Sequence, residues 1–315
     1  MRGTLWLHGA VDEAAMWAED LRSGGTVPFV APPREPLRCW GPLPPLPPPP
    51  AAGCWEAPSP RPAAGDGRML VEVTAAAGAR RGTAVLVPPW KVPRLSVLGG
   101  WTACLARAGH EVWTLVPPLH LGRALAGQRS GEGFVTADGP ALRAAVEQLV
   151  LEIRVLLALA RARGEPAALV GLSLGGLAAA LAATAPEAPD RTALLAPAAD
   201  LEAVLLGTRI GRRLLPGLRR GRPSGPAADE LSAMLAPFRA DGRRPGAGRV
   251  LVAVGSADRI ALPGPGAALA RSWGAELRVY PRGHLTLLFL CRAVRRDVGQ
   301  FLSARYRHAS RAATT

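Results

Sequence analysis

The chain has 315 residues, 49% of them hydrophobic and 20% charged, so it can bury a large core and is neither fibrous nor wholly disordered. Its formal net charge of +14 comes from arginine, since Lys91 is the only lysine, while aromatic residues make up 5%. With few rings for bases to stack on and no nucleic-acid-binding motif, the charge reads as a composition bias, and nucleic acid is not an expected partner.

The first expected element is an amphipathic helix within residues 1–23. Val11, Ala14, Ala15, Ala18 and Leu21 recur at helical spacing, with Asp12, Glu13, Glu19 and Asp20 mostly on other faces. Asp12 and Glu13 break the apolar run at Leu5 to Val11, so no secretory signal is expected. Residues 24–67 contain the proline run Pro42 to Pro50, which favours polyproline II, and read as a semi-rigid connector. One α/β domain is expected over 68–307, with a tail at 308–315.

Within that domain, the strand-like run Thr83 to Val87 leads into Pro88-Pro89-Trp90-Lys91. His120, in Pro117-Pro118-Leu119-His120, is expected on a loop at the strand-end face, lining a pocket. The apolar run Leu149 to Ala160 is interrupted by Glu152 and Arg154 and falls short of the ~20 residues of a membrane span. Cys39, Cys54, Cys104 and Cys291 show neither disulfide nor metal spacing, which suits a soluble cytoplasmic protein with reduced thiols.

The most informative stretch is Gly171-Leu172-Ser173-Leu174-Gly175-Gly176, which fits Gly-x-Ser-x-Gly between a strand-like run, Pro166 to Leu172, and a helix-like run, Leu177 to Ala183. A sharp turn there strains the serine backbone, and the glycines supply the space. A serine hydroxyl is a weak nucleophile at neutral pH and needs a histidine base oriented by a carboxylate. Asp258 follows the apolar run Arg249 to Gly255, and His284 follows the run Ala275 to Tyr280. Asp200, after the run Arg191 to Ala196, is the competing acid.

The separation of 85 positions from Ser173 to Asp258 leaves room for an inserted lid, expected at about 201–245. There Arg209, Arg212, Arg213, Arg219, Arg220 and Arg222 alternate with Ile210, Leu214, Leu215 and Leu218. Such a basic lid suits peripheral contact with an anionic membrane surface, or the attraction of acidic substrates.

On the motif Gly171 to Gly176, with Asp258 and His284 following in order, residues 69 to 305 resemble the α/β-hydrolase superfamily, in its serine esterase and lipase-like branch. The resemblance implies a mostly parallel central sheet with helices on both faces and a lid insertion. It also implies hydrolysis of a small-molecule or lipid carboxylic ester through an acyl-enzyme, without cofactor or metal, with Ser173 as nucleophile, His284 as base and Asp258 as orienting acid. Neither Pro88 nor Pro89 has an N–H to give an oxyanion, so the Trp90 N–H is expected to join that of Leu174.

Val87-Pro88-Pro89-Trp90 and Asp258-Arg259-Ile260-Ala261 are also similar to segments of the polyhydroxyalkanoate synthases. Those enzymes use cysteine where this chain has Ser173, which turns the expectation toward ester or polyester hydrolysis. An acyltransferase would use the same acyl-enzyme. A non-catalytic interaction protein would instead use the proline-rich segment and N-terminal helix for docking.

Overall fold

The computed structural model describes residues 2–22, 35–63, 66–136, 138–209, 232–233 and 235–304. In chain order it runs α1 (Arg2–Arg22), β1 (Gly53–Ala63), β2 (Asp66–Thr74), β3 (Gly82–Val87), α2 (Gly99–Arg107), β4 (His110–Val116), α3 (Gly139–Ala162), β5 (Ala167–Leu172), α4 (Leu174–Ala182) and β6 (Arg191–Leu195). It continues with α5 (Leu201–Gly207), β7 (Arg249–Gly255), α6 (Pro263–Trp273), β8 (Glu276–Tyr280) and α7 (Arg292–Ser303).

Continuous apolar runs such as Gly82–Val87 and Ala167–Leu172 are buried on both faces, as strands covered by helices on each side must be. The strands form one sheet in the order β1-β2-β4-β3-β5-β6-β7-β8. β1 and β2 pair antiparallel, as do β2 and β4, and every pairing from β4 to β8 is parallel. The registers Val87↔Gly171, Leu172↔Leu195 and Gly255↔Tyr280 align the strands' carboxyl ends along one edge, the usual location of a site in an open α/β sheet.

One apolar core joins α3, α4 and α6 to the sheet through residues such as Leu149, Leu177 and Leu269. The other joins α2 and α7 through Trp101, Leu105, Val298 and Phe301. A buried ion pair, Arg123 with Glu152, ties α3 to the loop after β4, and Ser59 and Gln148 donate to the same carboxylate.

The expected connector is shorter than its composition suggests. Gly53–Ala63 is the edge strand β1, in register Cys54↔Glu72 and Ala57↔Met69, despite Pro58, Pro60 and Pro62. An edge strand tolerates proline because one side of its backbone needs no sheet partner. Upstream, Leu37 and Cys39 are buried, and α3 holds their segment through Arg38 N–H to Glu147 Oε1 at 2.7 Å and Arg154 Nη1 to the Gly41 carbonyl at 3.0 Å.

The N-terminal helix forms, but with a different face inward. Gly9, Asp12 and Met16 are buried, at i, i+3 and i+7, whereas Trp6, Leu7, Val11 and Trp17 are exposed. Of the expected lid, α5, Arg209 and residues 235–245 are described. Arg212, Arg213, Arg219, Arg220 and Arg222 lie outside the described residues. Among the described residues, no helix is long and apolar enough to cross a membrane.

Candidate active site

Ser173 sits between β5 and α4 with φ 54° and ψ −114°, a backbone conformation that β-carbon sterics disfavour. Tight packing holds it there. A Cβ on Gly175 would overlap the Val87 and Pro88 carbonyls, and one on Gly171 would overlap the Gly175 carbonyl. The Ser173 N–H donates to the Leu195 carbonyl at 2.9 Å, fixing the turn to β6. The expected strand, turn and helix around Ser173 are therefore all present.

His284 and Asp258 meet this serine. His284 Nε2 lies 2.9 Å from Ser173 Oγ, and His284 Nδ1 lies 2.7 Å from Asp258 Oδ2. An ionised carboxylate only accepts, so Nδ1 carries the proton and Nε2 faces the hydroxyl as acceptor. Asp258 Oδ1 accepts the N–H groups of Ile260 and Ala261, both at 2.8 Å, which fixes the carboxylate's orientation. Burial opposes charging of the His284 ring, but the Asp258 carboxylate, by charge and hydrogen bond, and the Asp12 charge outweigh it, so its pKa is raised above the usual histidine value. Asp200 is occupied elsewhere, capping α5 by accepting the Ala203 N–H at 3.1 Å.

The segment after β3 is held by the loop after β4. Trp90 Nε1 donates to the Gly131 carbonyl at 2.7 Å, and Ser130 Oγ donates to the Val92 carbonyl at 2.7 Å. Lys91 adopts φ 58°, and its N–H donates to His120 Nε2 at 3.1 Å. His120 was expected to line the pocket. It is instead fully buried behind this segment, with Nδ1 donating to the Pro118 carbonyl at 2.8 Å and with Phe134 edge-on to its ring. Burial pushes its pKa down to about 4, so the ring is neutral.

Ser173, Leu174, Trp90 and His284 open on a cavity of about 250 Å³. Its remaining wall is largely apolar, with Val135 from the loop before α3 and Leu142, Leu201, Leu205, Leu288 and Phe289 from α3, α5 and the segment after His284. Such a lining suits an acyl or alkyl group beside the serine.

Sequence reasoning placed Asp12 on the outer face of the N-terminal helix, but it is fully buried against the loops of Asp258 and His284. Its carboxylate accepts the N–H groups of His284 at 2.7 Å, Leu285 at 3.0 Å and Arg259 at 3.2 Å. The available signal was its alignment with Gly9 and Met16 on one helical face.

The sheet order, the strained serine turn after β5 and the carboxyl-end site define the α/β-hydrolase fold. Solved structures with this fold include an acetyl xylan esterase from Paenibacillus sp. R4, with a TM-score of 0.56 and 18% identity over 75% of this chain and 79% of that one. A monoacylglycerol lipase from Paleococcus ferrophilus aligns with a TM-score of 0.52 and 19% identity over 75% and 98%. A soluble variant of monoglyceride lipase from Saccharomyces cerevisiae gives 0.52 and 15% over 75% and 91%. No protein-family model and no curated protein matches the sequence.

Proposed function

We propose that the protein is a serine hydrolase that cleaves small-molecule or lipid carboxylic esters through an acyl-enzyme on Ser173. The observation that carries the reading is the hydrogen-bonded series Asp258, His284, Ser173, ending at an apolar cavity. The structural neighbours, an acetyl xylan esterase, a monoacylglycerol lipase and a monoglyceride lipase among them, agree with this choice of substrate class.

In this mechanism His284 Nε2 takes the Ser173 proton as Oγ attacks the ester carbonyl, and Asp258 stabilises the resulting imidazolium through Nδ1. The tetrahedral oxyanion accepts the Leu174 N–H, at the N-terminus of α4, and the Trp90 N–H. Its collapse breaks the ester C–O bond, and His284 returns the proton to the leaving alkoxide. A water deprotonated by His284 then attacks the acyl carbon, releasing the carboxylic acid and restoring the Ser173 hydroxyl. The four free cysteines suit a reducing compartment, and we assign the reaction to the cytoplasm.

The test combines a fluorophosphonate probe with p-nitrophenyl esters of graded chain length, using wild type, Ser173→Ala and His284→Ala. Covalent labelling and turnover are expected in wild type, with kcat/KM lowered by roughly 10³-fold or more in both variants. A wild-type protein that neither labels nor turns over any ester would overturn the reading.

A further inference from the structure

We infer that Asp12, on the N-terminal helix, is a positioning residue that locks the loop of the base to the loop of the acid. The inference rests on the reading of His284 as general base and Asp258 as its acid. Asp12 Oδ2 accepts two backbone N–H groups, from His284 in one loop and Arg259 in the other, while Oδ1 accepts that of Leu285. One carboxylate thus bridges the residue after the acid to the base and the residue following it.

The fit around this bridge is specific. Any side chain on Gly283 would overlap the His8 carbonyl and the Asp12 carboxylate, so the glycine before His284 lets α1 approach the loop. At Gly9 the helix comes within ordinary contact of the Arg259 side chain and the Ala257 carbonyl, so the tight fit lies on the Gly283 side. His8 faces Arg282, with Nε2 3.4 Å from Nη1, on the flank of the same contact.

A buried carboxylate without partners would carry a large desolvation cost, and burial does raise the Asp12 pKa, but the three N–H groups and the nearby His284 oppose that rise. The titratable and charged groups on the elements packed here are His8 and Glu13 on α1, with Glu13 paired to Arg209, Asp258 and Arg259 in the acid loop, and Arg282 and His284 in the base loop, while Lys91 lines the cavity. Asp258 and Asp12 approach His284 from different sides. Asp258 meets the ring nitrogen, whereas Asp12 meets the backbone and acts on the ring only through space.

Asp12→Asn is the direct test, since it keeps the side chain's shape but removes the charge and turns an N–H₂ toward at least one backbone N–H. In this variant kcat is expected to fall roughly tenfold or more with KM within about twofold, because the base is misplaced while the acyl cavity is untouched. The acid limb of kcat/KM is expected to move to lower pH, and Asp12→Glu, which restores the charge, to move it back toward wild type.

The same change is read without turnover by NMR titration of the His284 imidazole and by hydrogen exchange at the His284 and Leu285 amides in wild-type and Asp12→Asn protein. A downward shift of the titration with faster amide exchange supports the bridge. An unchanged titration and exchange in folded Asp12→Asn protein overturns it, whether or not the protein hydrolyses esters. A wild type that neither labels with the fluorophosphonate nor turns over any ester overturns the hydrolase reading alone.

Discussion

The backbone N–H of Lys91 donates to Nε2 of His120 across 3.1 Å, so a buried imidazole fixes the segment that carries Trp90. Because Nδ1 is committed to the Pro118 carbonyl, the ring has one usable tautomer and no capacity left for a substrate. Replacing His120 with alanine removes its hydrogen bonds to the Lys91 N–H and the Pro118 carbonyl, and losing a partner costs a buried polar group about 1–3 kcal/mol. His120→Ala is expected to lower the thermal midpoint and ester turnover together, and differential scanning calorimetry alongside kcat/KM checks both.

The same histidine gives stability a pH dependence. Burial lowers the folded-state pKa values of His110 and His120 to about 4, below the usual histidine value of 6.5 in the unfolded chain. Between those values the unfolded state binds the extra protons, so stability falls as pH drops, by up to about 1.4 kcal/mol per pH unit for each group. His284 acts in the opposite sense in another window: its raised pKa contributes stability below pH 6.5 that is lost as pH rises through its folded value. Urea titrations from pH 4 to 7 are expected to show a shallower slope for His120→Gln than for wild type.

If His284 is the general base, its raised pKa sets the acid limb of the rate profile. The ring must be neutral to accept the Ser173 proton, so kcat/KM should rise with pH through an inflection above the usual histidine value. A profile already flat from pH 6 upward would contradict that assignment.

Arg123 and Glu152 are both buried and doubly bonded, at 2.7 and 2.8 Å. Removing one partner leaves the other as an uncompensated buried charge, so Glu152→Leu or Arg123→Met is expected to cost about 3–5 kcal/mol. The double substitution Arg123→Met with Glu152→Leu should recover a large share of that loss, as a double-mutant cycle by urea denaturation would show.

The cavity wall offers a handle on acyl specificity. Leu205→Trp places a bulkier side chain in the wall of the cavity of about 250 Å³. Turnover of the shortest p-nitrophenyl ester is expected to persist, while longer acyl chains lose roughly tenfold or more in kcat/KM. An unchanged chain-length profile would show that the acyl group lies elsewhere.

Where residues carry their own local pattern, the sequence and the structure agree. Ser173 is legible because a strand, a glycine-flanked turn and a helix follow one another within a few residues. Asp258 and His284 are legible because each follows a strand-like run, and parallel strands bring their carboxyl ends to one edge. The roles of β1 and α1 were not legible. The prolines of β1 suit a connector until an edge position makes them harmless, and Asp12 looks like a solvent-facing charge until the loops of Asp258 and His284 present three N–H groups to it.

The sequence alone determined the α/β-hydrolase fold, the serine turn and the chain order of Ser173, Asp258 and His284, because each depends on short-range patterning and strand direction. Only the tertiary structure decided that Asp258 and not Asp200 reaches His284, that His120 braces the Trp90 segment from behind, and that a helix 272 positions away supplies a carboxylate to the His284 backbone. These depend on which polar groups remain unpaired once the sheet has assembled, and burial forces each of them to find a partner wherever the chain can provide one.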